Sequence, residues 1–115
     1  MYNYNNILKC IDYVKALNTT ASKKADHHYL WYEVKKAFDF CYDMTRCILF
    51  DVHDSNLICS DAMYDYTQAI NYNYEGTTKK ELDKMLKRSI NYLKNELIAI
   101  HRGIEAGDLP SDRRQ

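Results

Sequence analysis

The sequence predicts an all-α fold: a four-helix bundle-like domain with two short and two long helices, the long pair packed near-antiparallel. Only three Gly and one Pro occur in 115 residues, so few tight turns are available for a many-stranded β fold. Apolar residues also recur at helical spacing in successive stretches. Because a chain of this length buries one modest core, we expect a single helical domain over residues 1–109 and a flexible C-terminal tail over 110–115.

The first two helices are predicted from their apolar residues. Ile7, Ile11, Val14 and Leu17 recur at helical intervals within residues 3–17, and NTTASKK (18–24) then interrupts the pattern. Asp26 is a candidate N-cap for a second helix that runs to about His53. Its continuous apolar stripe comprises Leu30, Val34, Ala37, Phe38, Cys41, Met44, Ile48 and Val52.

The third and fourth helices carry clearer end signals. HDSN (53–56) predicts a break, after which Leu57, Ile58, Ala62, Met63, Tyr66, Ala69 and Ile70 share one helix side that ends near residues 74–75, before Gly76. Thr78 followed by Glu81 is a capping box, and the fourth helix it opens runs to about Ala106. Its apolar seam consists of Leu86, Ile90, Leu93, Leu97, Ile100 and Ile104. Because these residues alternate steps of four and three, we expect the seam to pack along the second helix.

Charge is segregated along the chain although the formal net charge is zero. Residues 1–25 hold four bases and one acid (+3), and residues 26–75 hold three bases and nine acids (−6). Residues 76–102 hold seven bases and three acids (+4), and residues 103–115 hold two bases and three acids (−1). An acidic middle is therefore flanked by basic segments, so a local surface can carry a strong charge although the net charge is zero.

The four cysteines indicate a reducing compartment. Cys10, Cys41, Cys47 and Cys59 show no metal-binding CxxC spacing, and no secretory apolar segment precedes them. We expect mostly buried, free thiols and a cytoplasmic protein. The longest uncharged apolar runs are much shorter than the roughly 20 residues that a bilayer requires, so no membrane contact is expected.

Arg46 and His53 raise the question of catalysis. They lie seven residues apart, so their directions on a helix differ by about 20°. An arginine, four to six intervening residues and a histidine resembles the motif of the HEPN ribonuclease superfamily, small helical domains that often dimerise. The resemblance implies a dimeric endoribonuclease or toxin in which His53 is the acid or base and Arg46 holds the phosphate. In the alternative interpretation Arg46 pairs with Asp43, and His53 simply ends the helix.

Other catalytic and metal motifs are missing from the sequence. It holds no ExxH pair, glycine-rich phosphate loop or serine nucleophile elbow. Asp26, His27 and His28 are adjacent, and adjacent side chains on a helix diverge too far to chelate one ion easily. We therefore expect no metal and no cofactor, and the balance favours a protein that is not an enzyme.

Two surfaces remain as candidate contact sites. Eleven Tyr and one Trp exceed what the bundle can bury, and such aromatics are enriched at interfaces; AT-rich coding would also explain their number. The candidate contact residues are Tyr29, Trp31, Tyr32, Tyr42, Tyr64, Tyr72 and Tyr74. A basic ridge, defined by Lys80, Lys84, Lys87, Lys94 and Arg102, follows one stripe of the fourth helix, with Asn91 and an exposed Ile98 on it. The ridge is either a solvated face or a docking site for an acidic partner.

These patterns favour a small non-enzymatic helical protein that acts by protein–protein interaction. Its size and AT-biased composition are typical of accessory genes, so a phage or mobile-element inhibitor of a host defence system is one expectation. The alternatives are the HEPN-like nuclease at Arg46 and His53, and a nucleic-acid binder that uses the basic ridge. A protein partner is expected and a homodimer stays open, whereas nucleic acid is less favoured.

Overall fold

The computed structural model describes residues 3–44, 63–72 and 76–111. These ranges contain four helical segments: α1 (Tyr4–Lys15), α2 (Asp26–Met44), α3 (63–71) and α4 (Lys79–Glu105). The all-α, bundle-like fold predicted from the sequence is confirmed. The predicted continuation of the second helix to His53 and the predicted start of the third helix lie outside the described residues.

The helix starts follow local side-chain hydrogen bonding. Asn3 caps α1 by accepting from the amide of Asn6 at 2.9 Å, which satisfies one of the free amides of the first turn. Asp26 is the first residue of α2, but its carboxylate reaches back into the preceding loop and accepts from the hydroxyl of Ser22 at 2.7 Å and from the amide of Lys23 at 3.2 Å. The hydrogen bond from Ser22 lowers the pKa of Asp26 below its ordinary value. The predicted start of α2 is therefore right within one residue, although the carboxylate bonds backward rather than forward.

The two ends of α4 match the sequence prediction. Thr78 Oγ1 accepts from the amide of Glu81 at 3.2 Å. At the other end Gly107 has a φ of 79°, a left-handed conformation that glycine adopts without strain. The amide of Asp108 donates to the carbonyl of Gly103 at 2.8 Å, and that of Gly107 donates to the carbonyl of Ile104 at 3.1 Å. This pair of bonds is a Schellman motif, which satisfies carbonyls of the last turn.

The buried side chains form two clusters along the bundle. The first cluster joins α1, α2 and the second half of α4 through Ile7, Cys10, Ile11, Val14, Ala37, Cys41, Leu93, Leu97, Ile100 and Ile104. The second joins α2, α3 and the first half of α4 through Ala21, Leu30, Val34, Tyr66, Ala69, Ile70, Leu82 and Leu86. Phe38 and Ile90 pack against both clusters. The seam of α4 is largely as predicted, but Ser89 is fully buried where Ile90 was expected.

The helix directions differ from the prediction in one respect. Tyr4, at the start of α1, places its hydroxyl 3.1 Å from the Nε2 atom of His101 near the end of α4, so these two helices run antiparallel. His27, at the start of α2, contacts Asp83 at the start of α4, so the two long helices run in the same direction. The antiparallel partner of α4 is therefore α1, which packs against it extensively. Because one helix separates α2 from α4 in the chain, an up-and-down order gives both the same direction.

The predicted burial of the cysteines is confirmed for the two that lie within the described residues. Cys10 on α1 and Cys41 on α2 are fully buried free thiols. They lie together between the two helices, and the hydrogen bond with Cys10, together with burial, raises the pKa of Cys41. Both therefore contribute to the core as small apolar side chains. Cys47 and Cys59 fall outside the described residues.

Candidate protein-interaction surface

A buried polar network fixes the relative positions of α2, α3 and α4. The ring of His27 is fully buried, and its Nδ1 atom lies 2.8 Å from the hydroxyl of Tyr66 on α3. Its Nε2 atom lies 2.8 Å from Oδ1 of Asp83 on α4, whose Oδ2 accepts from Lys79 at 2.8 Å. An ionised carboxylate can only accept, so Nε2 donates to Asp83. One side chain of α2 thus bonds to the next two helices at once.

The charges of this network are arranged to hold it together. The hydrogen bond from Lys79, followed by that from His27, lowers the pKa of Asp83, so the carboxylate is ionised at neutral pH. Burial raises the pKa of Tyr66, and the charge on Asp83 adds to that effect, so the phenol keeps its proton. Because the His27 ring has no exposed surface and both of its nitrogens have partners, this histidine positions the helices and is not accessible to a ligand.

Sequence reasoning did not identify this network. The sequence placed His27 only beside Asp26 and His28, as a possible metal ligand at the start of the helix. Its position is one turn before Leu30 and two turns before Val34, on the same buried stripe of α2. Extending the apolar stripe back by one turn would therefore have indicated a buried histidine, although not its partners on α3 and α4.

An aromatic group joins α2 to α3 on the outside of the bundle. The half-buried Trp31 donates from Nε1 to Oγ1 of Thr67 on α3 at 2.9 Å. The ring of Tyr32 meets that of Trp31 edge-on, with centroids 4.8 Å apart, and the Nζ atom of Lys35 lies 6.0 Å from the centroid of the Trp31 ring. The indole is therefore held in one orientation by a hydrogen bond and by its contacts with Tyr32 and Lys35.

Four tyrosines are exposed on α2, in the first turn of α3 and directly after the end of α3. The exposed fractions are 67% for Tyr29, 58% for Tyr32, 61% for Tyr64 and 70% for Tyr72. We call these four side chains, together with Trp31, the tyrosine surface. Two further predicted contact residues, Tyr74 and the side chain of Tyr42, lie outside the described part of the structure.

The other tyrosines of the described ranges are covered. Tyr13 stacks on Phe40 with centroids 4.7 Å apart, and Tyr66 is fully buried. Tyr4 and Tyr92 are half-buried. Among the tyrosines whose side chains are described, exposure is therefore concentrated on α2, on α3 and on Tyr72 directly after it, in the segments on which the contact residues were predicted.

Two surface cavities flank the first turns of α2. The smaller, of about 260 Å³, is lined by Asn18, Thr20, Asp26, Tyr29, Leu30 and Glu33. The larger and more open one, of about 560 Å³, is lined by Lys24, Ala25, His28, Ile70 and Asn71. The first of them places Tyr29 beside two carboxylates. The tyrosine surface is therefore recessed on one side and carries negative charge there.

The basic ridge lies on the solvent side of α4. Lys80, Lys84, Lys87 and Arg102 are exposed, and Lys94 is half-buried. The prediction that Ile98 is exposed on the ridge is wrong: it is half-buried and packs against the first core cluster, which α1 helps to form. Apart from that residue, the ridge is a row of polar side chains, as its helical spacing predicts.

The remaining predicted sites are not brought together by the described structure. Arg46 and His53 fall outside the described residues, so the HEPN-like arrangement stays a prediction. Within the described ranges, no three His, Cys, Asp or Glu side chains are grouped so that they could hold a metal ion. None of the helices described is both long enough and apolar enough to span a bilayer.

Comparison with known proteins does not place the chain in a family. No protein-family model, curated protein or solved structure matches the chain. Function therefore has to be argued from the surfaces themselves.

Proposed function

We propose that this protein is a non-enzymatic binding module that acts by protein–protein contact through the tyrosine surface. One observation carries the proposal: the four large hydrophobic side chains that are most exposed in the described residues are all tyrosines, two on α2, one in the first turn of α3 and one directly after α3. Singly exposed apolar side chains are ordinary on a protein surface. Here, in contrast, four exposed tyrosines lie on or directly after two helices that are hydrogen-bonded to each other.

The hydrogen bonds between α2 and α3 favour a binding surface whose shape is fixed before a partner binds. Trp31 is hydrogen-bonded to Thr67, and the buried His27 is hydrogen-bonded to Tyr66. Because both bonds join α2 to α3, the outer faces of the two helices keep a fixed orientation relative to each other. A tyrosine has few rotatable bonds and therefore loses little entropy on binding. Rigid aromatic side chains on a fixed backbone are typical of interface residues that carry most of the binding free energy.

The charge near the surface defines the kind of partner. Exposed carboxylates of Asp39, Asp43 and Asp65 lie on the same two helices, and residues 26–75 carry a formal charge of −6. A complementary partner would offer apolar pockets for the tyrosine rings and a basic rim around them. The partner we propose is a cytoplasmic enzyme or nucleic-acid-binding protein of a host defence system that carries such a basic surface, and the role we propose is its inhibition by a phage or mobile-element protein.

The test is affinity capture followed by measured binding. Wild-type protein, the double variant Tyr32→Ala/Tyr64→Ala and a control double variant Lys80→Gln/Lys84→Gln are each used to capture proteins from lysate of the source cell. We expect one protein to be retained by the wild type and the control and lost with the tyrosine variant. With that protein purified, the tyrosine variant should bind at least 100-fold more weakly, since two interface hot spots together contribute more than about 3 kcal/mol.

Two outcomes would contradict the proposal. One is that the purified partner binds the tyrosine variant with unchanged affinity while circular dichroism shows that the variant is folded. The other is that purified wild-type protein degrades RNA and loses that activity with His53→Ala, which would assign the function to the HEPN-like alternative. Sedimentation equilibrium of the same variants tests whether a second copy of the chain is the partner.

A further inference from the structure

The basic residues of α4 fall into two groups that differ in their surroundings. Lys79 bonds to Asp83 at 2.8 Å, and Arg88 lies 4.0 Å from Asp65 of α3. The five cations of the basic ridge form no ion pair with any other residue in the described parts of the chain. Lys79 and Arg88 therefore each lie near a carboxylate, whereas the ridge cations have no acidic partner among the described residues.

The ridge is also long and straight. Lys80 and Arg102 are 22 positions apart on one helix, which is about 33 Å at the helical rise. Three acids of α4 lie between these ends. At about 100° per residue, Glu96 lies about 155° and Glu81 about 95° from the mean direction of the ridge. The carboxylate of Asp83 is engaged with His27 and Lys79. The five cations of the ridge therefore follow one another along about six turns of α4.

The composition of this face distinguishes between two kinds of anionic partner. Protein interfaces place aromatic or apolar anchors at their centre and are depleted in lysine. The ridge has lysines at its centre, with Asn91 between them, and its single apolar residue, Ile98, is taken up by the core. Contacts to a phosphate backbone have the opposite character: they are made by Lys, Arg and polar side chains and need no apolar anchor.

We infer that the basic ridge binds the phosphodiester backbone of a nucleic acid without reading its sequence. This is a second function, independent of the tyrosine surface. Each cation that neutralises a phosphate contributes about −0.9 to the slope of log K against log salt concentration for a duplex, and about −0.7 for a single strand. With five cations engaged, the affinity for a duplex falls about 500-fold between 50 and 200 mM KCl. For a single strand the fall is about 130-fold.

The experiment measures that slope with the full chain. Fluorescence anisotropy is recorded with a labelled 20-base-pair duplex of mixed sequence, and with single-stranded DNA and RNA of the same length, from 50 to 200 mM KCl. The test variant is Lys84→Gln/Lys87→Gln, at the centre of the ridge. The control is Lys35→Gln/Lys36→Gln, which removes the same charge from exposed positions of α2. Circular dichroism establishes that all proteins are folded.

The expected result is a wild-type duplex slope near −4.5 that falls to about −2.7 in the ridge variant and is unchanged in the control. The Tyr32→Ala/Tyr64→Ala variant should retain the wild-type slope, which separates this inference from the proposed function. Absence of binding at 50 mM KCl would overturn it, as would equal loss in the ridge and control variants. Equally tight binding of polyglutamate would assign the ridge to an acidic protein, and a dimer that only the ridge variant abolishes would assign it to a second copy.

Discussion

Replacement of Gly103 by alanine should destabilise the protein, against the usual helix preference. Gly103 lies inside α4, where alanine is ordinarily favoured by about 1 kcal/mol. A Cβ atom at this position would stand 2.7 Å from Cδ1 and 2.9 Å from Cγ of Leu109. Leu109 cannot simply move away, because its amide donates to the carbonyl of Gly103 and its side chain packs against the first core cluster.

The magnitude follows from these two opposing terms. Overpacking costs about 1–3 kcal/mol, so after the helix-propensity gain of about 1 kcal/mol the Gly103→Ala variant should lose between roughly 0 and 2 kcal/mol. Leu109→Ala is expected to lose about 1–2 kcal/mol, below the range for a fully buried leucine, since this side chain is half-buried. In the Leu109→Ala background the obstacle is gone, and Gly103→Ala should then stabilise by about 1 kcal/mol.

Urea unfolding followed by circular dichroism at 222 nm gives the four free energies of this double-mutant cycle. We expect a coupling energy of about 1–3 kcal/mol, the overpacking term alone. Stabilisation by about 1 kcal/mol in both backgrounds would refute the reasoning, because it would show that Leu109 does not pack on Gly103. Equal urea dependence of the four proteins is required for the comparison.

Three further predictions concern the polar network and the start of α4. His27→Ala should lower the free energy of unfolding by about 3 kcal/mol, since it removes a fully buried ring with two hydrogen bonds; urea unfolding should show little change for the exposed His28→Ala. Because the pKa of Asp83 is lower in the folded protein than the value of about 3.9 in an unfolded chain, its contribution is fully present above about pH 4 and is lost as the pH falls further. Acid unfolding curves of Asp83→Asn should therefore decline less between about pH 4 and 2, and an unchanged decline would contradict this. Thr78→Ala should cost about 1 kcal/mol through loss of the N-cap, and thermal unfolding that shifts equally with Thr77→Ala would argue against a specific cap.

Local patterns in the sequence were sufficient to predict most of the helical structure. The stripe from Leu30 to Cys41 and the seam of α4 are buried as their spacing requires, apart from the half-buried Phe38 and Ile90, because burial on a helix depends on residues three and four apart. Thr78 and Gly107 marked the ends of α4 for the same reason: a cap is made by residues close in the chain.

The remainder depends on residues that are distant in the chain. The shared direction of α2 and α4 is set by the helix between them, and the contact of His27 with Asp83 spans 56 positions. By contrast, the exposure of Tyr29, Tyr32, Tyr64 and Tyr72 depends on local pattern alone, because these residues lie off the apolar stripes of their segments. Ile98 was misplaced because its environment is supplied by another part of the fold, the first core cluster. Whether Arg46 and His53 meet stays a prediction.

The antiparallel contact between α1 and α4 has a practical consequence for handling the protein. Tyr4 also donates a hydrogen bond to Glu105, so the first turn of α1 and the last turn of α4 share one pole of the bundle. Tyr29 is in the first turn of α2, beside the start of α4, and hence at the opposite pole. An affinity tag or surface tether attached before α1 or after α4 therefore leaves Tyr29 facing solution, and a linker that joins these two helix ends would permit circular permutation without disturbing the opposite pole.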